Sequence, residues 1–209
     1  MRIVKEAEER KNEILDVAEI LFGSKGFDNT STNDILNEVG IARGTLYYHF
    51  KSKEDILDAM IERMTERLCA AAVKIAQDES IPVLNRISQT ILALNVNEDI
   101  GTEVMNQIHK PQNALMHQKV QERMLSSVVP IMSQLIEEGI GQEIFHTDYP
   151  MQAAEMLMVY SNEAFDSQRI QSEEEKQQRM FGFIYNAERI LGMKQGTLQD
   201  VIMVIFQNI

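Results

Sequence analysis

Arg43, Thr45, Tyr47, Tyr48, His49, Lys51 and Lys53 crowd together in the stretch STNDILNEVGIARGTLYYHFKSKEDIL, residues 31–57. An arginine can pair bidentately with a guanine edge, and a threonine offers a methyl and a hydroxyl to bases or phosphate. Tyr47, Tyr48 and His49 carry flat rings that end in hydrogen-bonding atoms. Lys51 and Lys53 add two cations near a helix start, where free amide groups also favour anions. The set suits a surface that touches phosphates and base edges. A plainer reading exists for each part alone, because aromatics in short helices often pack inward and lysines at helix starts are often merely solvated.

The elements that would position these groups are legible around them. Ser31-x-x-Asp34 has the form of a capping box, with Asp in place of the longer Glu or Gln. Ile35, Leu36 and Val39 supply an apolar face for a helix over 32–39, and Gly40 sits where the chain must turn sharply. A second helix over 43–49 carries Leu46, which with Phe50 four residues on can anchor it inward. Two short helices joined by a tight glycine turn make a helix-turn-helix, whose second helix can enter a major groove.

Helical spacing recurs along the rest of the chain and strand signals are scarce, so the expected fold is all-α. A first helix spans about 6–23, with Ile14, Val17, Ala18, Leu21 and Phe22 on one face. Ser52 caps a long amphipathic run through Ile75, and further helices are expected at about 82–95, 99–109, 112–138, 150–169, 173–192 and 196–207. Pro130 falls inside one of them, where a kink is expected. The net charge of −12 is unevenly spread: residues 1–53 hold 8 basic and 9 acidic side chains, and residues 54–209 hold 12 and 23. An acidic bulk repels nucleic acid, so any such contact must come from a local positive surface in the first part. The single Cys69 excludes an intrachain disulfide and fits a reducing cytoplasm, and no apolar run is long enough to span a bilayer. The charged start MRIVKEAEERKNEIL lacks the apolar core of a signal peptide.

The ordered string, preceded by RKNEILDVAEILFGSKGFDNT, resembles the DNA-binding domain of the tetracycline-repressor (TetR) family of bacterial transcriptional regulators over about residues 8–60. The resemblance implies a helix-turn-helix domain over 1–53 and a helical ligand-binding and dimerisation domain over 54–209. It makes Arg43, Gly44 and Thr45 base-reading positions and Tyr48 and His49 contacts to backbone or base. Ser31, Thr32, Asn33, Tyr47 and Lys53 would hold phosphates. Two departures stand out: Ala42, where the family often has a capping serine, and the slightly acidic balance of residues 1–53. The implied function is that of a cytoplasmic homodimeric repressor, bound to a near-palindromic double-stranded operator and released by a small molecule. The other reading is a helical ligand-binding or interaction dimer without useful DNA affinity.

Helices 150–169 and 173–192 are too apolar for one covered face, and are the expected dimer interface; intramolecular core is the competing reading. Candidate ligand-binding residues are Met105, His109, Asn113, Met116, Met124, Met156 and Tyr160, since thioethers fill irregular apolar cavities. Methionines at helical spacing are also ordinary core. His109, Lys110, Asn113 and His117 fit a helix-end cluster, a polar handle on a ligand, or part of a metal site, in that order. Two histidines eight apart on one helix are separated by about 12 Å, which disfavours joint ligation. The sequence holds no phosphate loop, paired cysteines or nucleophile with an obvious base, so no catalytic residue, metal or cofactor is expected.

Overall fold

The computed structural model describes residues 7–95, 113–165 and 172–199. Among these residues there are eight α-helices and no strand. They are α1 (Ala7–Lys25), α2 (Thr32–Val39), α3 (Arg43–His49), α4 (Lys53–Ala76), α5 (Val83–Asn95), α6 (Ala114–Gly141), α7 (Pro150–Ala164) and α8 (Glu173–Ile190). The expected helix at 99–109 and residues 200–207 of the last one lie outside the described residues. Pro130 sits within α6.

Two compact units emerge, one drawn from Met1–Arg67 and Glu98–Arg123, the other from Leu68–Asn97 and Met124–Ile209. Helices α4 and α6 each contribute residues to both. In the first unit, Ile14, Leu15, Ala18 and Phe22 of α1 are buried together with Ile35 and Leu36 of α2, Leu46 of α3, and Ile56, Leu57 and Met60 of α4. Arg63 of α4 reaches α1, pairing with Asp16 at 2.7 Å and Glu19 at 3.2 Å. Ser52 starts α4 by accepting the Asp55 amide at 3.0 Å, while the Asp55 carboxylate accepts from the Lys51 amide. The carboxylate thus reaches one residue beyond the Ser52 cap, to the amide before it.

In the second unit the core gathers Val83, Val128, Val129, Met132, Leu135, Ile136, Phe145, Ala153, Ala154, Met180, Ile184 and Leu191. Cys69 belongs to it as a buried packing thiol. Pro150 occupies the first turn of α7, where its missing N–H costs nothing. Two buried charges hold irregular backbone. Glu188 accepts the Gly196 and Leu198 amides, each at 2.8 Å, and so closes the turn after α8. Arg86 donates to the Ile81 carbonyl at 2.9 Å and the Ala76 carbonyl at 3.0 Å, and pairs with Glu138 of α6.

All three Arg86 interactions are lost together in Arg86→Leu. Two carbonyls then lose the Arg86 donor and the Glu138 carboxylate keeps only Gln142, so unfolding free energy should drop by about 2–4 kcal/mol in denaturant titration.

Candidate nucleic-acid interface

The helix-turn-helix is built by local rules. Ser31 caps α2: its hydroxyl accepts the Asp34 amide at 3.2 Å, and the Asp34 carboxylate accepts from the Ser31 amide at 2.8 Å. The Ser31 hydroxyl and then its amide, helped by Lys25, hold the Asp34 carboxyl below the usual aspartate range. A lowered carboxylate stabilises the fold fully at neutral pH, and that contribution fades as the pH falls through the aspartate range. Gly40 ends α2 with φ +72°, a left-handed conformation open to glycine. The Gly40 and Ile41 amides both donate to the Leu36 carbonyl, at 2.9 and 3.2 Å, and the chain is thereby aimed into α3.

Helix α3 turns Leu46 into the core and keeps its polar side outward. Phe50, just past its end, is buried as well. Arg43 and Gly44 are exposed, Thr45 and His49 are half-buried, and Tyr47 is exposed. Tyr48 is 78% exposed, the most open of the large apolar side chains described. It meets His49 edge-on at 5.0 Å. Asn33 of α2 accepts from the Arg43 guanidinium at 3.0 Å, so two of the expected contacts steady one another. Ser31 and Asn33 are exposed beside them and Thr32 is half-buried. A side chain added at Gly44 would meet nothing within 4 Å. No intramolecular contact therefore requires glycine there, although glycine weakens a helix interior.

Lys53, to which the family resemblance gives a phosphate contact, is half-buried. Its ammonium donates to the Phe27 carbonyl at 2.7 Å and lies 4.1 Å over the Phe27 ring. Its main contact is an internal clip of the α1–α2 turn. The cap at Ala42 is absent as expected: no side chain accepts the first free amides of α3.

The candidate ligand residues are spread over both units. Met105 and His109 lie outside the described residues. In the first unit Met116 is fully buried, and Asn113 is buried and accepts the Phe27 amide at 2.7 Å. In the second unit Met124 is half-buried against the core, whereas Met156 and Tyr160 are 59% and 49% exposed on α7. Outward-facing side chains on a helix suit a covering surface better than a pocket. That unit also holds a half-open cleft of about 260 Å³, lined by Val73, Ala76, Gln77, Arg86, Gln134 and Glu138 among others. None of the candidate residues lines it, and the Arg86 guanidinium in its wall is already committed to backbone and Glu138. No helix among the described residues is long and apolar enough to cross a membrane.

Comparison with known proteins gives two family matches. A model described as bacterial regulatory proteins of the tetR family matches residues 14–60, and one described as a tetracyclin repressor-like C-terminal domain matches residues 93–183. HTH-type transcriptional regulators of Staphylococcus aureus strains USA300 and N315 are each 44% identical over 59 residues, 28% of this chain and 32% of theirs. The chain thus spans about a third of the length of these curated relatives. Among solved structures, RolR in complex with resorcinol has a TM-score of 0.66 at 15% identity, over 93% of both chains. GusR of Salmonella enterica has a TM-score of 0.55 at 21% identity, over 90% of this chain and 98% of its own. These structural likenesses speak to fold.

Supplying the missing cap should tighten α3. Ala42→Ser should raise stability by about 0.5–1 kcal/mol in thermal melts and slow hydrogen exchange at the Gly44 or Thr45 amide. Ser31→Ala should lower stability by about 1 kcal/mol and remove the acid-sensitive part of the α2 cap.

Proposed function

The chain belongs to the tetR family of bacterial regulatory proteins, and we propose that it is a DNA-binding transcriptional regulator without enzymatic activity. It acts as a homodimeric repressor on a near-palindromic operator and is released by a small molecule. Residues 1–53 read DNA, and residues 54–209 carry the dimer and effector surfaces. The observation that carries the reading is the exposed face of α3. Arg43 is steadied by Asn33, Gly44 has open space before it, and Tyr48 stands in solvent. A helix face that leaves an arginine, a glycine and a tyrosine outward suits close approach of a base edge and a phosphate backbone.

Dimerisation is supported by a second surface. Met156, Val159 and Tyr160 of α7 and Phe181 and Tyr185 of α8 are all exposed. Within the chain, Tyr160 stacks on Phe183 with ring centroids 6.2 Å apart, which links the two helices into one patch. Gly182 beside them has nothing within 4 Å of an added side chain. An apolar patch of this kind is expected to be covered by another protein surface, and a twofold partner would cover it with the same residues. The resorcinol complex of RolR supports a small molecule as the class of effector this fold accommodates.

The chain's own upstream region, used in a mobility shift at two salt concentrations, tests the reading. Specific retardation should weaken steeply with salt and fall by at least about tenfold in Arg43→Ala, since a bidentate base contact is worth about 1–3 kcal/mol. Gly44→Ala should move two quantities in opposite directions: stability up by as much as about 1 kcal/mol, operator affinity down. Tyr160→Glu combined with Phe181→Glu should give a monomer in light scattering. Retardation with no sequence preference at low salt would favour a helical dimer without useful DNA affinity.

A further inference from the structure

The geometry points to Asn113 as a positioning residue for the reading helices, acting from outside the helix-turn-helix through the backbone of Phe27. This rests on the DNA-binding reading above and extends it to a residue that touches no DNA. Phe27 lies in the turn between α1 and α2, and all of its polar backbone is engaged. Its amide donates to the Asn113 carbonyl oxygen at 2.7 Å, and its carbonyl accepts from Lys53 at 2.7 Å. Its ring is closed between Phe22, edge-on at 5.2 Å, and the Lys53 ammonium. Asn113 is only 1% exposed and stands 86 residues away in sequence. A buried amide without an acceptor is costly, so this turn is complete only when Asn113 is in place.

The first turns of α6 hold Asn113 there. Asn113, Met116 and Val120 recur at helical spacing and are all buried, so one face of this segment packs inward. Flanking that face, Lys119 pairs with Asp58 and Arg123 pairs with Glu62. The two pairs step one turn along α4 and one turn along α6 together. Such exposed pairs add little energy, but they fix the register of two helices. The start of α6 is thus joined to α4 by an ionic ladder and to the α1–α2 turn by Asn113. Thr30, which closes the same turn onto the Gly26 carbonyl at 2.8 Å, immediately precedes the Ser31 cap of α2. A displacement of Asn113 would reach α2, and through the Gly40 turn α3, without altering any side chain that faces DNA.

The test compares the full chain with Asn113→Leu, which removes the acceptor at similar volume. Hydrogen exchange at the Phe27 amide should accelerate strongly. Affinity for the upstream-region fragment should fall about tenfold, while low-salt binding to a scrambled duplex stays unchanged, because that binding needs only the outward cations. Equal loss on both duplexes would mark general unfolding and overturn the proposal. So would an accelerated Phe27 amide with operator affinity kept. If Asn113→Leu does not fold, the ladder serves instead. Lys119→Asp should lower the ratio of specific to scrambled binding, and adding Asp58→Lys should restore it; no restoration overturns the proposal. Failure of the functional reading looks different: wild type would show no sequence preference and Arg43→Ala no effect. In that case an unchanged Phe27 exchange rate in Asn113→Leu would still overturn the clamp, and an accelerated one would support it.

Discussion

Helix α3 has seven residues and no side-chain cap, and a helix of that length does not hold together in water on its own. Everything that α3 presents to solvent therefore depends on the burial of Leu46, with Phe50 just beyond it, against the core of α1, α2 and α4. Those two anchors fix which way the helix is rolled. Once Leu46 points inward, Gly44 and Tyr48 on the opposite side must point outward, and Arg43 and Tyr47 are exposed with them. The polar face is a consequence of the apolar one, and it is only as well placed as the core beneath it.

Basic side chains divide by the same logic. Arg63, Arg86 and Lys53 each spend their donors inside the protein, bridging α1 to α4, gathering carbonyls around the α4–α5 loop, and closing the α1–α2 turn. Arg43 and Lys51 are exposed at the two ends of α3. Two cations thus face solvent around α3 although residues 1–53 have a net charge near zero and the whole chain is strongly acidic. Net charge alone argues against a polyanionic partner, but local placement of cations counts for more, because fields from exposed charges are screened within about 10 Å at ordinary salt.

Local features were legible in the sequence and long-range ones were not. The ends of α2 and α3, the Ser31–Asp34 capping box, the positive φ of Gly40 and the missing cap at Ala42 are all written within four or five residues of where they act. The inward turn of Lys53 depends on a carbonyl 26 residues away, the Arg86–Glu138 pair spans 52 residues, and the Asn113–Phe27 bond spans 86. Nothing in helical periodicity encodes such partners. Asn113 illustrates the difference: a helix-end cluster is the first reading of its neighbourhood, but nothing nearby in sequence names the Phe27 amide as the donor to its side-chain oxygen. Met156 and Tyr160 are exposed on α7, and a helix that is apolar on two faces does not say which face the chain itself will cover.

That ambiguity has a physical resolution in α7 and α8. Ala153, Ala154 and Ala164 of α7 and Met180, Ile184 and Ala187 of α8 are buried, so the intramolecular core is met by small or aliphatic side chains. Met156 and Tyr160 of α7 and Phe181 and Tyr185 of α8 are exposed. A chain that needed these groups for its own stability would have turned them inward, since each contributes more by burial than an alanine does. Their placement outside makes a second apolar surface among the described residues. In the dimer proposed above, a twofold copy would supply that surface and present two copies of α3, the arrangement that reading a near-palindromic site requires. The same residues that leave the isolated chain with unburied apolar area would then couple assembly to recognition.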